Sequence, residues 1–184
     1  MFKLLKTVIK TGEATTRYPF APLTVSPGFR GKPEYDATQC IACGACTIAC
    51  PANALSMATD VEQGTRTWEL FLGRCIFCAR CEEVCPTRAI ALSPEFELAV
   101  GNKEDLYQRA TFTLTNCRDC GRPFAPSKEI DYAMALLVNS GLPEAEVGAQ
   151  RAHFETCPEC KRLQSIPDSA KLTLSQPTLK GDAL

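Results

Sequence analysis

Histidine is nearly absent from this chain of 184 residues, which contains a single one, His153. Because histidine is the side chain that most readily exchanges a proton near neutral pH, one copy leaves little for acid–base catalysis. No nucleophile–base arrangement and no phosphate-binding glycine loop is evident either. We therefore expect a protein that has no small-molecule substrate and is not itself an enzyme.

Long apolar runs and a visible secretory signal peptide are also lacking. No segment approaches the roughly 20 apolar residues that span a bilayer. Cysteine, in contrast, is abundant, with twelve copies. In a small secreted chain that number would suggest disulfides, but these cysteines have metal-ligand spacings and must stay reduced to bind metal. A cytoplasmic location is expected.

Eight cysteines form a doubled motif between residues 40 and 86. Each half reads Cys-x-x-Cys-x-x-Cys-x-x-x-Cys-Pro, the run that holds two [4Fe–4S] clusters in bacterial-type ferredoxins. The first three cysteines of a half surround one cubane, and the fourth points at the other cluster. The expected ligands are Cys40, Cys43, Cys46 and Cys85 for one cluster, and Cys75, Cys78, Cys81 and Cys50 for the other. Structural disulfides or zinc sites do not account for this doubled spacing. Three apolar neighbours, Ile41, Ile76 and Phe77, are expected to keep water off the clusters.

The N-terminal segment 1–12 is predicted to be a basic amphipathic helix that ends at Gly12. Residues 1–35 carry six basic and two acidic residues, a net charge of +4, whereas the remainder carries 14 basic and 19 acidic residues, a net charge of −5. Such a helix suits a membrane surface with anionic headgroups or a groove of an acidic protein. The alternative is a helix packed on its own domain.

Residues 17–39 contain four prolines and two glycines, so no regular element is expected there. Their apolar side chains predict an extended strap that lies against a partner or across the ferredoxin domain. Residues 40–92 form an internal repeat with an offset of 35 residues, and each half should end in a strand, at 54–59 and 89–92. The insertion between the halves predicts a hairpin strand at 65–71. Trp68 on this strand is assigned to the core, with an interface anchor as the alternative.

The remaining residues predict a helix at 104–110, a second helix at 128–139 and a polar tail from Gln164 that runs along a surface. The other four cysteines form two knuckles, Cys117 with Cys120 and Cys157 with Cys160. Four thiolates make a closed tetrahedral site, for which Zn²⁺ is the default and mononuclear iron an alternative. A redox-active disulfide pair is a further alternative. His153 is expected at the surface, although it could replace one thiolate.

The predicted fold class is α+β. It is a bacterial-type 2[4Fe–4S] ferredoxin fold with an N-terminal amphipathic helix and strap and a C-terminal four-cysteine metal-binding extension. The expected domains are a docking arm at 1–35, the ferredoxin domain at 36–100, and the C-terminal extension and tail at 101–184.

Several segments outside the cysteine ligands point to a family. The basic start, Arg17-Tyr18-Pro19, Phe29-Arg30-Gly31 and the doubled motif resemble the two-cluster ferredoxin subunit of respiratory complex I. Segments 116–124, 128–133 and 154–162 are similar to the ferredoxin-like iron–sulfur subunit of formate hydrogenlyase and related membrane-bound [NiFe] hydrogenases.

This resemblance implies an electron-transfer role at the inner face of the cell membrane. The subunit would relay electrons from the formate-oxidising side, through a ferredoxin-like donor subunit, to the hydrogenase small subunit, beside membrane-embedded subunits. The first alternative is the equivalent subunit of a complex I-type NADH:quinone oxidoreductase, and the second is a diffusible ferredoxin. A nucleic-acid-binding regulator is disfavoured because the chain beyond residue 35 is net acidic.

Overall fold

The computed structural model of the chain describes residues 2–13 and 15–169. Helices and strands are mixed in this part of the chain. The helices are α1 (Phe2–Thr11), α2 (Ala45–Ala49), α3 (Arg80–Val84), α4 (Ser127–Asn139), α5 (Glu144–Ala149), α6 (Arg151–Phe154) and α7 (Pro158–Ser169). The strands are β1 (Pro33–Tyr35), β2 (Leu55–Asp60), β3 (Thr65–Phe71), β4 (Ile90–Leu92), β5 (Tyr107–Asn116) and β6 (Pro123–Pro126). None of the described helices is both long and apolar enough to cross a membrane.

The smaller sheet pairs β1 with β4 in antiparallel fashion, with Tyr35 opposite Ile90. Strand β4 confirms the strand predicted at 89–92. The prediction that no regular element occurs within residues 17–39 was wrong for β1. Pro33 is tolerated because a proline can occupy the first residue of a strand. The partner that fixes β1 lies more than 50 residues away along the chain, so local composition gave no sign of it.

The larger sheet has the antiparallel order β2–β3–β5–β6. The β2–β3 hairpin confirms both strands predicted for this region, and Gly64 turns it with a φ of +63°. The helix predicted at 104–110 was wrong: a short 3₁₀ turn covers Lys103–Leu106, and β5 starts at Tyr107. Seven residues of β5 pair with β3. Pairing along this open edge outweighs a weak local helix preference.

The core lies between the two sheets and the loops that carry the first eight cysteines. Trp68 is fully buried, and its ring stacks on Tyr35 with 3.7 Å between centroids. The core assignment of Trp68 is therefore confirmed. Because Tyr35 lies on β1 and Trp68 on β3, this stack joins the two sheets.

Helix α4 confirms the helix predicted at 128–139, but its buried face is narrower than expected. Its apolar spacing predicts a buried side of Ile130, Ala133, Met134, Leu137 and Val138. Ile130 is buried and the next three are half-buried, whereas Val138 is exposed. The helix packs mainly against β5, β6 and the short helices α5 and α6, which leaves its last turn in solvent. Helix α7 continues to Ser169, so the tail predicted from Gln164 is helical at its start. The rest of that tail, residues 170–184, lies outside the described residues.

The N-terminal arm contacts the rest of the protein through its second half. Helix α1 confirms the prediction at 1–12, and all ten of its residues are exposed. Further along, Tyr18 and Phe29 pack on Phe96 with ring centroids 5.5 and 6.1 Å apart. Gly31 donates its N–H to the Ser93 carbonyl, and a Cβ at Gly31 would lie 2.0 Å from the Glu95 carbonyl oxygen. Glycine at position 31 therefore permits the arm to lie directly on the segment after β4.

Candidate metal centres

The two cysteine loops have nearly the same backbone, although their sequences differ. Three pairs of residues 35 positions apart share a positive φ: Ala42 and Phe77 (both 55°), Gly44 and Ala79 (78° and 68°), and Asn53 and Arg88 (49° and 55°). The first two pairs bend each loop around its cysteines before α2 or α3 begins, and the third pair turns the chain after each helix ends. Both helices stop at the fourth cysteine of their half, Cys50 and Cys85, where the backbone becomes extended before proline.

Two separate cavities gather the eight cysteines. The first cavity is lined by Cys40, Cys43, Cys46 and Cys85, and the second by Cys50, Cys75, Cys78 and Cys81. Their empty volumes are about 340 and 370 Å³. Each cavity thus contains three cysteines from one half of the repeat and the fourth cysteine of the other half.

Four strands supply matched walls to the two cavities. Residues two apart on one strand point to the same face, and each strand gives one such residue to each cavity. The first cavity receives Tyr35, Met57, Trp68 and Ile90, and the second receives Pro33, Leu55, Leu70 and Leu92. Ile41 and Phe77 also line the cavities and are buried or half-buried, as expected. Ile76 lines the second cavity but remains 62% exposed, so it shields that cavity less than expected.

Burial dominates the acidity of several cysteines in the cavities. Burial raises the pKa of Cys75, and it raises the pKa of Cys81 to about 11. Burial also raises the pKa of Cys46, although the nearby Trp68 N–H offsets part of that increase. At Cys85, burial also raises the pKa, but hydrogen bonds from the Thr87 hydroxyl and from backbone N–H groups outweigh it and lower the pKa overall. Buried thiols of this kind become thiolates readily only when a metal supplies positive charge. This donor set fits iron–sulfur ligation.

Two polar atoms in the wall of the first cavity have no hydrogen-bond partner. Tyr35 Oη and Trp68 Nε1 are buried, and neither makes a hydrogen bond of normal length and angle to the residues that the structure describes. The thiols that influence them are Cys40 at Tyr35 and Cys46 at Trp68. Burial, followed by the neighbouring Cys40, raises the pKa of Tyr35, so its hydroxyl keeps its proton. Buried donors without acceptors are costly. They fit a cavity that holds a group rich in anionic sulfur.

The other four cysteines meet in one group near the C-terminus. The Sγ atoms of Cys117, Cys120, Cys157 and Cys160 all lie within 4.8 Å of one another, which confirms the predicted grouping. Cys120 Sγ and Cys157 Sγ are 3.8 Å apart. Tetrahedral Zn²⁺–thiolate bonds of about 2.3 Å place ligand sulfurs at about this spacing. His153 is exposed, as predicted, and does not belong to this group.

Local hydrogen bonds prepare this group to bind a cation. The N–H of Cys120 is the main cause that lowers the pKa of Cys117 to about 6, and the Cys157 N–H lies 3.2 Å from Cys117 Sγ. Arg122 lowers the pKa of Cys120 through its backbone N–H and its guanidinium. Hydrogen bonding to Cys157 raises the pKa of Cys160 to about 12. Cys117 and Cys120 therefore form thiolates readily and can bind a metal first, whereas Cys160 keeps its proton until a metal displaces it.

Arg66 connects the first cysteine loop to β6 and α4, and its role was not predicted from the sequence. On β3, Arg66 shares its face with Trp68 and Leu70. It donates hydrogen bonds of 3.0 Å to the carbonyl of Ala42, in the first cysteine loop, and to the carbonyl of Phe124, on β6. It also forms a 3.1 Å ion pair with Glu129 of α4. The alternating pattern of β3 was the one signal that this arginine points inward.

Comparisons with known proteins cover the two cysteine loops and, separately, nearly the whole chain. Residues 39–89 match the family model described as a 4Fe–4S dicluster domain. Formate hydrogenlyase subunit 6 of Escherichia coli (strain K12) is 56% identical over 176 residues, which cover 96% of this chain and 97% of the relative. A chain from the structure of the membrane-bound sulfane sulfur reductase (MBS), an archaeal respiratory membrane complex, aligns with a TM-score of 0.43 and 30% identity over 57% of this chain and 56% of that chain. By its identity along nearly the whole length, the protein belongs to the family of the ferredoxin-like iron–sulfur subunit of formate hydrogenlyase.

Proposed function

We propose that this chain is an electron-transfer subunit of a formate hydrogenlyase-type complex, in which it relays electrons from the formate-oxidising side to a [NiFe] hydrogenase. The observation that carries the proposal is the pair of adjacent cavities, each lined by four cysteines. The identity to formate hydrogenlyase subunit 6 supports this type of complex over a complex I-type enzyme.

In the proposed arrangement, Cys40, Cys43, Cys46 and Cys85 hold one [4Fe–4S] cluster, and Cys75, Cys78, Cys81 and Cys50 hold the other. Each cluster, when bound, supplies a site for one-electron transfer. Helix α2 carries Cys46 and ends at Cys50, and α3 carries Cys81 and ends at Cys85. Four residues of helix correspond to about 6 Å, so each short helix bridges both cavities. The cysteines therefore hold the two redox sites close together in one rigid unit.

The remaining residues of the cavities position the cysteines and limit the access of water. Backbone N–H groups of Ala42, Ala54 and Ala89 lie 3.2–3.3 Å from the sulfurs of Cys40, Cys50 and Cys85. Hydrogen bonds to sulfur and exclusion of solvent are main determinants of cluster potential. These residues tune and insulate the redox sites, and no acid–base step by the chain is required.

The C-terminal cysteine group is proposed to hold Zn²⁺ in a structural role. Four thiolates saturate a tetrahedral ion and leave no open position for a substrate. The ion would join the turn after β5 to the start of α7 and so close the loop that contains α4. Mononuclear iron fits the same ligands, and metal analysis distinguishes the two ions.

The N-terminal arm is proposed to dock the subunit on membrane-embedded partners at the cytoplasmic face of the membrane. Helix α1 exposes Phe2, Leu4 and Ile9 by 73–88% and carries three lysines. An exposed apolar stripe beside basic residues suits the interface between an anionic bilayer and an embedded protein.

The function is tested in the complete complex with Cys85→Ser. The wild-type chain should contain about eight iron and eight sulfide ions, as two four-iron clusters require, apart from any iron in the C-terminal site. The variant should lose the cluster of the first cavity and hydrogen evolution from formate. It should keep formate oxidation with a dye acceptor and hydrogen evolution with a dye donor. A variant that still couples formate to hydrogen would refute the relay. Loss of the second-cavity cluster alone would refute the crossed ligation.

A further inference from the structure

The two cavities differ in the side-chain donors that face their sulfurs. Tyr35 and Trp68 in the first cavity are matched by Pro33 and Leu70 in the second, on the same two strands. Thr87 lines the first cavity, and its counterpart 35 residues earlier, Ala52, lines the second. The first cavity therefore has three hydroxyl or indole donors, whereas these matched positions in the second have none.

The positions of these donors suit contact with sulfur. Thr87 Oγ1 lies 3.7 Å from Cys85 Sγ, and a metal-bound thiolate has no proton, so the hydroxyl would be the donor. Tyr35 Oη and Trp68 Nε1 are buried and make no hydrogen bond of normal geometry to the described residues, although Cys40 and Cys46 are their neighbours. Both rings are fixed by their mutual stacking at 3.7 Å and by their strands. A buried donor that is fixed in place beside ligand sulfurs, but makes no normal hydrogen bond to the protein, fits an acceptor in the cavity itself.

We propose that Tyr35, Trp68 and Thr87 donate hydrogen bonds to the sulfurs of the first-cavity cluster and make it the more readily reduced cluster of the pair. This inference rests on the proposed placement of two clusters. Reduction adds one electron, delivered by a partner subunit, without proton transfer. Donors stabilise the more negative, reduced state more than the oxidised state, and hydrogen bonds to sulfur are known to set cluster potential. An electron shared by the pair would then reside mainly in the first cavity.

The main test is a redox titration of the complete complex, followed by electron paramagnetic resonance, with Cys85→Ser used to assign the two signals. Tyr35→Phe removes one hydroxyl, and Thr87→Val replaces one hydroxyl with a methyl group of similar size. Each should reduce the equilibrium constant for reduction of the first-cavity cluster by about tenfold, equal to about 59 mV for one electron. The potential of the second-cavity cluster should not change.

Two matched variants separate donation from a general change of the cavity wall. Met57→Leu alters the wall of the first cavity without removing a strong donor, so it should leave both potentials nearly unchanged. Ala52→Thr introduces a hydroxyl into the second cavity at the position that corresponds to Thr87 in the first. This variant should raise the potential of the second cluster. Equal shifts in Met57→Leu and Tyr35→Phe would overturn the proposal, as would unchanged potentials in both hydroxyl variants.

Trp68 can be tested without a substitution, because it is the one tryptophan of the chain. The full-length chain, loaded with clusters and labelled with ¹⁵N in its indole, should give a ¹⁵N hyperfine coupling to the reduced first-cavity cluster. Absence of that coupling would exclude donation by Trp68. Iron and sulfide counts keep this test separate from the proposed function: counts of about eight each with unchanged potentials reject the donors alone, whereas lower counts reject the two clusters.

Discussion

Replacement of Arg66 should loosen the C-terminal part of the protein from the first cysteine loop. Arg66 donates to two backbone carbonyls, of Ala42 and Phe124, and pairs with Glu129. The side chain of Arg66 is 17% exposed and that of Glu129 is 36% exposed. Arg66→Ala removes these three contacts, together with a 3.3 Å hydrogen bond to the Thr59 hydroxyl within the β2–β3 hairpin. Lys128 of α4 would still donate to the Thr38 carbonyl, just before the first cysteine loop, at 2.8 Å.

The magnitude follows from the three contacts. A hydrogen bond from a charged donor contributes about 1.5–3 kcal/mol. The two bonds to carbonyls together therefore contribute at most about 6 kcal/mol to the stability of the C-terminal part. Glu129 is partly exposed, so its ion pair adds at most about 1 kcal/mol. Water that enters the vacated space recovers much of this, and we expect a net loss of about 2–3 kcal/mol. That loss corresponds to roughly a 30- to 150-fold change in the local opening equilibrium.

Native-state hydrogen exchange on the metal-loaded protein measures this opening. Amides of α4 should exchange faster by the stated factor in Arg66→Ala, and by a smaller factor in Arg66→Lys, which keeps the charge but loses the forked geometry. The matched control is Arg109→Ala, because Arg109 is 51% exposed and pairs with Glu69 on the same sheet. It should change exchange by less than about fivefold. Equal effects of Arg66→Ala and Arg109→Ala on α4 would refute the reasoning.

Three further predictions concern the arm and the C-terminal site. Deletion of residues 2–12 should leave the iron and sulfide content unchanged but release the protein from membranes, as measured by fractionation; retained association would contradict the docking role. Gly31→Ala should cost about 1–3 kcal/mol through overpacking against backbone and speed proteolysis of the arm, whereas Gly101→Ala, which has open space around it, should not; equal rates would argue against close packing at Gly31. Cys117→Ser should abolish binding of about one zinc per chain and expose residues 112–162 to proteolysis, with the cluster spectrum nearly unchanged. Normal assembly with blocked electron transfer would instead indicate a redox ion.

The sequence alone was sufficient to predict those elements and sites whose pattern lies within one short segment of the chain. The spacing of the cysteines and the proline that follows each fourth cysteine both act on residues only a few positions away. The helices α1 and α4 and the hairpin β2–β3 were predicted for the same reason, because their periodic patterns lie within one short segment. The grouping of Cys117, Cys120, Cys157 and Cys160 was also predictable, since thiolates in paired knuckles have few other uses.

Only the tertiary structure decided the features that depend on distant partners. Strand β1 forms because β4 offers a strand edge with which it pairs. Strand β5 forms because β3 offers such an edge, although the first residues of β5 have a helical pattern. The inward direction of Arg66 and its two carbonyl acceptors likewise depend on how β3 meets the C-terminal part. The asymmetry of the cavities has the same origin, since Tyr35, Trp68 and Thr87 come from three separate segments. Spacing determines which cysteines can bind a metal, but packing of remote strands determines which other side chains surround them.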